Sequence, residues 1–251
     1  MTGKMSFIIL KAQNEENEST DPYIEVLHEK GYDAHFVPTL QFEYYNLDEL
    51  RKKLQNPQDY SGLVLTSPRC VRGVLKCLDN SKLNNNWHNK PIFVVGEATA
   101  RLVTKELNQK PIGANTGNAT ALVPIILKYE LSKPLLAPCG NLNLNILADN
   151  LNTVKLENVE IYRTVPHSDL EKNLKLAFDT IKYRIGLVFF SPSGFQACIK
   201  LIPKEFVNKL HIFSIGPTTA SAIEEAGYAL TGICDKPKPE SMMDIIDKFI
   251  E

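Results

Sequence analysis

What this chain lacks narrows its chemistry before any motif is read. Its 251 residues hold no Walker loop, no GxGxxG turn and no GxSxG elbow, so nucleotide-cradling and acyl-enzyme chemistry are without support. The histidines, His28, His35, His88, His167 and His211, form no HxH or HxxxH pair. The five cysteines, Cys70, Cys77, Cys139, Cys198 and Cys234, are odd in number and scattered without a CxxC pair. Neither a metal site nor a disulfide framework is expected, and the free thiols suit a reducing compartment, the cytosol. No apolar run approaches the ~20 residues of a membrane helix, so no membrane partner is expected. The start of the chain reads as a first strand, Ser6 to Leu10, and not as a signal peptide. A formal net charge of −1 excludes a basic surface for nucleic acid. An anionic ligand would have to be met by local dipoles and a few placed cations.

What is present is a repeat. Gly62-Leu63-Val64-Leu65-Thr66-Ser67-Pro68 returns as Gly186-Leu187-Val188-Phe189-Phe190-Ser191-Pro192. Downstream of each copy, Ile92-Phe93-Val94-Val95-Gly96-Glu97-Ala98-Thr99-Ala100 returns as Ile212-Phe213-Ser214-Ile215-Gly216-Pro217-Thr218-Thr219-Ala220. Each is a short apolar run of strand type that turns, through Ser-Pro or Gly-x-x-Thr, into a helical pattern. Two like-built α/β halves follow, with helix N-termini along one edge of each sheet. Such an edge binds anions through backbone N–H groups.

The pattern along the chain divides it further. Phe7-Ile8-Ile9-Leu10 is a buried-type strand, and Asp21-Pro22 supplies an N-cap with proline at the first helical position. Thr39 to Tyr44 and Val159 to Val165 alternate with period two, as strands exposed on one face should. Between them strands are expected near 62–66, 92–95, 111–114 and 134–137, with helices near 68–79, 97–107, 118–130 and 141–152. After them strands are expected near 186–190, 211–215 and 229–233, with helices near 170–182, 193–201, 217–226 and 240–250. The Asn-rich stretch Ser81 to Lys90 reads as a loop. The expected architecture is α/β, with two flavodoxin-like domains of parallel sheet joined by a two-stranded antiparallel linker. Domain 1 would take residues 1–38 and 167–251, the linker strands and crossings 39–56 and 157–166, and the inserted domain 2 residues 57–156.

Candidate site residues follow from the repeated turns. Thr66 and Ser67, Ser191 and Ser193, and the turns of Gly96 with Thr99 and of Gly216 with Thr218 and Thr219 can all be explained as helix caps, worth ~0.5–2 kcal/mol each. Their recurrence at matched places in both halves argues for a shared ligand cleft with many N–H donors and partial positive charges. Glu97 would repel an anion there and is expected to point away. Arg69 and Arg101 lie near the same edges and could add full charges, or be solvated surface arginines. Gly140 and Asn141, in the turn Ala137 to Asn143, could offer backbone amides, and Cys139 reads as a buried inert thiol. Period two puts Tyr162 opposite Ile161 and Arg163 on a linker strand bordering the cleft. There its phenol could donate a proton or simply pack.

Taken in order, these residues resemble a known family. Asp21-Pro22-Tyr23, Thr66-Ser67-Pro68-Arg69, Val94-Val95-Gly96 with Ala98-Thr99-Ala100, and Pro138-Cys139-Gly140-Asn141 carry the first part of the resemblance. Tyr162-Arg163-Thr164-Val165, Phe189-Phe190-Ser191-Pro192-Ser193-Gly194 and Ile215-Gly216-Pro217-Thr218-Thr219-Ala220 carry the rest. Together they are similar to the uroporphyrinogen-III synthases of the animal type, over nearly the whole chain.

The resemblance implies a cofactor-independent lyase of haem biosynthesis. Its substrate would be hydroxymethylbilane, a linear tetrapyrrole with eight carboxylates. Loss of the ring-A hydroxyl gives an azafulvene, and attack by the substituted carbon of ring D gives a spiro-pyrrolenine. That intermediate recloses with ring D inverted. Unaided, the bilane closes to the unflipped isomer, so the protein's main task is to fix orientation. The resemblance assigns Tyr162 as a dispensable acid and Thr99, Ser67, Ser191, Ser193, Thr218 and Thr219 as carboxylate positions. It implies a monomer that takes substrate from hydroxymethylbilane synthase by transient hand-off. A non-catalytic two-domain binding module for a small anion would show the same cleft and remains the rival reading.

Overall fold

The computed structural model describes residues 5–13, 20–78, 83–141, 147, 149–181, 184–203, 206 and 209–250. Among these, the strands are β1 (Met5–Lys11), β2 (Asp33–Pro38), β3 (Leu40–Tyr44), β4 (Gly62–Leu65), β5 (Ile92–Val94), β6 (Pro111–Ile112), β7 (Leu135–Gly140), β8 (Leu156–Pro166), β9 (Arg184–Phe189), β10 (Leu210–Ile215) and β11 (Gly232–Cys234). The helices are α1 (Pro22–Glu29), α2 (Leu47–Leu54), α3 (Pro68–Leu78), α4 (Glu97–Leu107), α5 (Ala119–Ile126), α6 (Leu170–Thr180), α7 (Pro192–Ile199), α8 (Pro217–Glu225) and α9 (Pro239–Ile250). Two compact units result, Met1–Gln41 with Val165–Glu251, and Phe42–Thr164. No helix among the described residues is long and apolar enough to cross a membrane.

The first unit has a five-stranded sheet in the order β2-β1-β9-β10-β11, parallel throughout. Counted within the unit this is the flavodoxin-like order 2-1-3-4-5, whose reversal lies between β1 and β9. Its central strands are apolar on both faces because helices cover both. Ile8, Leu10, Leu187 and Phe189 pack with Leu174, Phe178 and Phe195 of α6 and α7. Phe7, Ile9 and Val188 pack with Ile24, Leu27, Met242 and Ile246 of α1 and α9.

The second unit has a six-stranded sheet in the order β3-β8-β7-β4-β5-β6. Its strands run parallel from β8 to β6. At the edge β3 runs antiparallel to β8, where the Tyr45 N–H donates to the Ile161 carbonyl at 3.0 Å. The crossing strands are therefore members of a sheet as well as links. Counted from β4, the parallel part reads 3-2-1-4-5, the order of the doubly wound dinucleotide-binding sheet without its sixth strand, with its reversal between β4 and β7. The same succession of βα units builds either order, so the pattern of elements cannot distinguish them.

Three local expectations change. Helix α2 was not foreseen, although Leu47, Leu50 and Leu54 are helically spaced, with acids in the first turn and bases in the last. Within the Asn-rich stretch, whose Ser81 lies outside the described residues, Asn85–Trp87 forms a single 3-10 turn that buries Trp87 completely. The Trp87 indole donates to the Leu54 carbonyl at 2.8 Å and stacks on Tyr60. The helix expected near 141–152 falls partly outside the described residues, and its described part is turn.

Candidate functional site

In doubly wound sheets, ligands bind beyond the carboxyl ends of the strands where the strand order reverses. In the second unit that place is formed by the ends of β4 and β7. The chain leaves β4 through Thr66 and enters α3 through Ser67, whose Oγ accepts the Cys70 N–H at 3.4 Å and so caps the helix. The same hydroxyl lies 3.2 Å from the Tyr162 hydroxyl and 3.3 Å from the Cys70 thiol. Thr66 is half-buried beside them, its Oγ1 3.9 Å from that thiol.

Tyr162 reaches this place through an irregularity that period-two counting cannot detect. Along β7 and β8, Cys139 pairs with Glu160 but Gly140 pairs with Tyr162, so one extra residue is inserted in β8. The pleat slips there, and Ile161 and Tyr162 are both buried in one core instead of facing opposite ways. The expectation that Tyr162 lies opposite Ile161 is corrected by this bulge. Its ring covers Gly140, where a Cβ would sit 2.5 Å from the ring carbons. Asn141 is committed to the same strand, donating its N–H to the Tyr162 carbonyl at 3.2 Å and accepting the Thr164 N–H at 3.4 Å. Burial, with the Cys70 thiol beside it, pushes the phenol above its ordinary value of 10.0, against the opposing pull of Ser67 and Arg69. At neutral pH Tyr162 is a protonated hydrogen-bond donor. Cys139 is buried with its thiol pushed up to about 12 by desolvation, which suits an inert side chain.

Arg69, on the first turn of α3, lays its guanidinium carbon 3.4 Å from the centre of the Phe42 ring. Its Nε is buried without a hydrogen-bond acceptor among the described residues. Phe42 also meets Tyr162 edge-on, with ring centres 6.4 Å apart. The sequence reading missed Phe42. Its position in an alternating strand, ahead of Tyr44, was the signal available. Arg101 is exposed on α4.

The Gly-x-x-Thr turns match closely across the two units. Gly96 has φ 78° and ψ 157°, and Gly216 has φ 86° and ψ 155°, a region essentially restricted to glycine. Each carbonyl accepts the first helical bond, from Ala100 at 3.1 Å and from Ala220 at 3.3 Å. In each turn the first two helical residues are exposed, Glu97 and Ala98 in one and Pro217 and Thr218 in the other. The third is turned inward, leaving Thr99 1% and Thr219 2% exposed. Neither hydroxyl is among the buried side-chain oxygens left without a partner. Thr99 and Thr219 each add a first-turn N–H with no intrahelical partner, and Thr218 is exposed beside the second turn.

In the first unit the reversal lies between the ends of β1 and β9. Ser191 Oγ accepts the Gly194 N–H at 3.1 Å as a cap, and Ser193 is exposed beside it. Lys11, which the sequence reading took only as the end of a strand, holds its Nζ 2.8 Å from Asp21. The same Nζ lies 5.0 Å from the centre of the Tyr23 ring and 5.4 Å from that of Phe190. Asp21 also caps α1 through the Tyr23 N–H at 3.0 Å. Burial pushes the Tyr23 phenol up to about 12. Each reversal thus places one cation on an aromatic ring beside a capped helix, with Lys11 paired to Asp21 and Arg69 without a carboxylate among the described residues.

Known proteins carry the same arrangement of chain. A family model for uroporphyrinogen-III synthase HemD matches residues 21–244. The uroporphyrinogen-III synthase of Schizosaccharomyces pombe is 28% identical over 242 residues, covering 92% of this chain and 93% of that one. The enzyme of the same name from Saccharomyces cerevisiae is 24% identical over 255 residues, covering 91% and 92%. In fold, the crystal structure of uroporphyrinogen-III synthetase from Helicobacter pylori superposes with a TM-score of 0.69 at 18% identity, covering 97% of this chain and 99% of that one. With the repeated turns inside the matched span, and the span itself covering most of both units, the chain belongs to the uroporphyrinogen-III synthase family.

Proposed function

We propose that this protein closes hydroxymethylbilane to uroporphyrinogen III in tetrapyrrole biosynthesis, with loss of water and inversion of ring D. The family match across residues 21–244 carries the reading, and the donors gathered at each sheet edge support it. Because the bilane cyclises unaided to the unflipped isomer, the protein's contribution is chiefly orientation. Arg69, together with the first-turn N–H groups after Ser67, Gly96, Ser191 and Gly216, holds carboxylates. Thr66, Ser193 and Thr218 add hydroxyls, and Gly140 and Asn141 fix the strand on which Tyr162 rides. Tyr162, protonated and hydrogen-bonded to Ser67, donates toward the departing ring-A hydroxyl. Its raised pKa makes it a weak acid, so the assistance is modest and not indispensable.

The reading includes no cofactor, a monomer in the cytosol, and transient receipt of bilane from hydroxymethylbilane synthase. The narrower, animal-type assignment rests on the order of motifs alone. The test is a coupled assay in which bilane is generated by the preceding enzyme and the product isomers are separated chromatographically. Type III product is expected. Type I alone would leave the non-catalytic anion-binding module as the better reading.

A further inference from the structure

A buried guanidinium nitrogen without an acceptor is uncommon, since leaving such a donor unsatisfied costs stability. Arg69 bears that cost at its Nε. No described carboxylate forms an ion pair with it, whereas Arg51 and Arg163 have Asp48 and Glu43. What holds the side chain is the Phe42 face, 3.4 Å from the guanidinium carbon. Stacking of that kind fixes the plane of the cation and leaves its terminal amino edge for a second planar group. A carboxylate is the group that fits a guanidinium edge in two parallel bonds. Lysine could supply the charge but neither the plane nor the fork.

We infer that Phe42 is a positioning residue, clamping Arg69 flat so that the guanidinium edge receives one carboxylate of the tetrapyrrole. The inference rests on the function proposed above. Phe42 is suited to the task because it comes from β3, an edge strand of the second unit's sheet, and not from α3, which carries Arg69. The cation is thus held between two elements. Its neighbour Tyr162 meets the same ring, so the two polar groups share one support.

The test compares Phe42→Leu, which removes the face at similar bulk, with Phe42→Tyr, which restores it. Phe42→Leu is expected to raise KM for hydroxymethylbilane about threefold to tenfold, the size of one cation–π contact, with kcat within about twofold of wild type. Phe42→Tyr should return KM to near wild type. In an Arg69→Lys background, Phe42→Leu should raise KM no further. An unchanged KM, a fall in kcat alone, or an equal rise in both backgrounds would overturn the inference.

A second measurement needs no substrate. Nitrogen-15 spectra of the free protein follow solvent exchange of the Arg69 Nε–H, assigned by its loss in Arg69→Lys. Exchange should quicken about threefold to tenfold in Phe42→Leu, and an unaltered rate removes the clamp. If wild-type protein forms only the type I isomer, the functional reading fails, while the exchange data still decide whether Phe42 holds Arg69.

Discussion

The two reversal points are built from like parts and use them differently. In the first unit the cation is already spent, because Lys11 is paired with Asp21 at 2.8 Å and Asp21 itself caps α1. In the second unit Arg69 rests on Phe42 with a buried donor left over, and Ser67 serves at once as a cap and as the partner of Tyr162. An internal repeat therefore conserves backbone geometry, as the twin Gly96 and Gly216 turns show, more faithfully than it conserves chemistry. The unpaired guanidinium donor belongs to one copy. The other contributes a folded edge whose charges are largely balanced.

The sharpest way to break this comparison is at the twin glycines. Gly96→Ala and Gly216→Ala each force an L residue into nearly the same unfavourable dihedrals, and each should cost about 1–3 kcal/mol in urea unfolding. Close agreement between the two losses is expected, because the backbone strain dominates. Among the described residues, the one neighbour within 4 Å of an added Cβ is the Thr116 carbonyl at 3.8 Å from Gly96, an ordinary contact. A large inequality would show that the turns are not equivalent.

Next in size are the caps. Ser67→Ala and Ser191→Ala should each lose about 0.5–2 kcal/mol of stability. The rate of type III formation should fall further for Ser67→Ala, which also strips Tyr162 of its partner. Equal effects on rate would erase the asymmetry between the units. Tyr162→Phe removes one neutral hydrogen bond and should slow the reaction about twofold to tenfold, with isomer selectivity retained. Complete inactivity in a folded variant would give the phenol an essential role.

The smallest effect separates the units by acid sensitivity. Burial and Arg184 hold His211 of the first unit below its ordinary 6.5. The unfolded chain therefore takes up that proton first, and the contribution to stability is full above about pH 6.5 and is lost as pH falls toward the folded value. In the second unit Glu157 is held below its ordinary 4.5, chiefly by the hydrogen bond from Lys53. Its contribution is present above about pH 4.5 and is lost as pH falls through the folded value. Calorimetry between pH 7 and 5 should show a decline that Arg184→Met reduces and Lys53→Met leaves alone. Lys53→Met should reduce only the decline below pH 4.5.

Much of this organisation could be read from residues. Strands and hydroxyl turns were recoverable because their apolar runs and caps are local signals, and α4 begins and ends where its pattern does. Three features were hidden for physical reasons. The inward turn of Thr99 and Thr219 depends on the dihedrals of the preceding glycine, which set the phase of the helix. The strand order of the second unit depends on which side of β4 the chain returns to, a long-range choice with no local marker. The burial of Trp87 within a polar stretch depends on a carbonyl and a ring, at Leu54 and Tyr60, supplied from elsewhere in the chain. Lys11 and Phe42 were visible only as strand residues, because a cation and its ring come from different elements.

The slip at Ile161 has an evolutionary edge. Tyr162 keeps the regular place opposite Gly140, and the surplus residue in β8 is Ile161. Loss of the Ile161 codon would restore regular alternation and leave the tyrosine opposite Gly140, on the face it already occupies. What the insertion adds is a second apolar side chain beside the phenol, so an indel there would alter how tightly the ring is packed more than where it points.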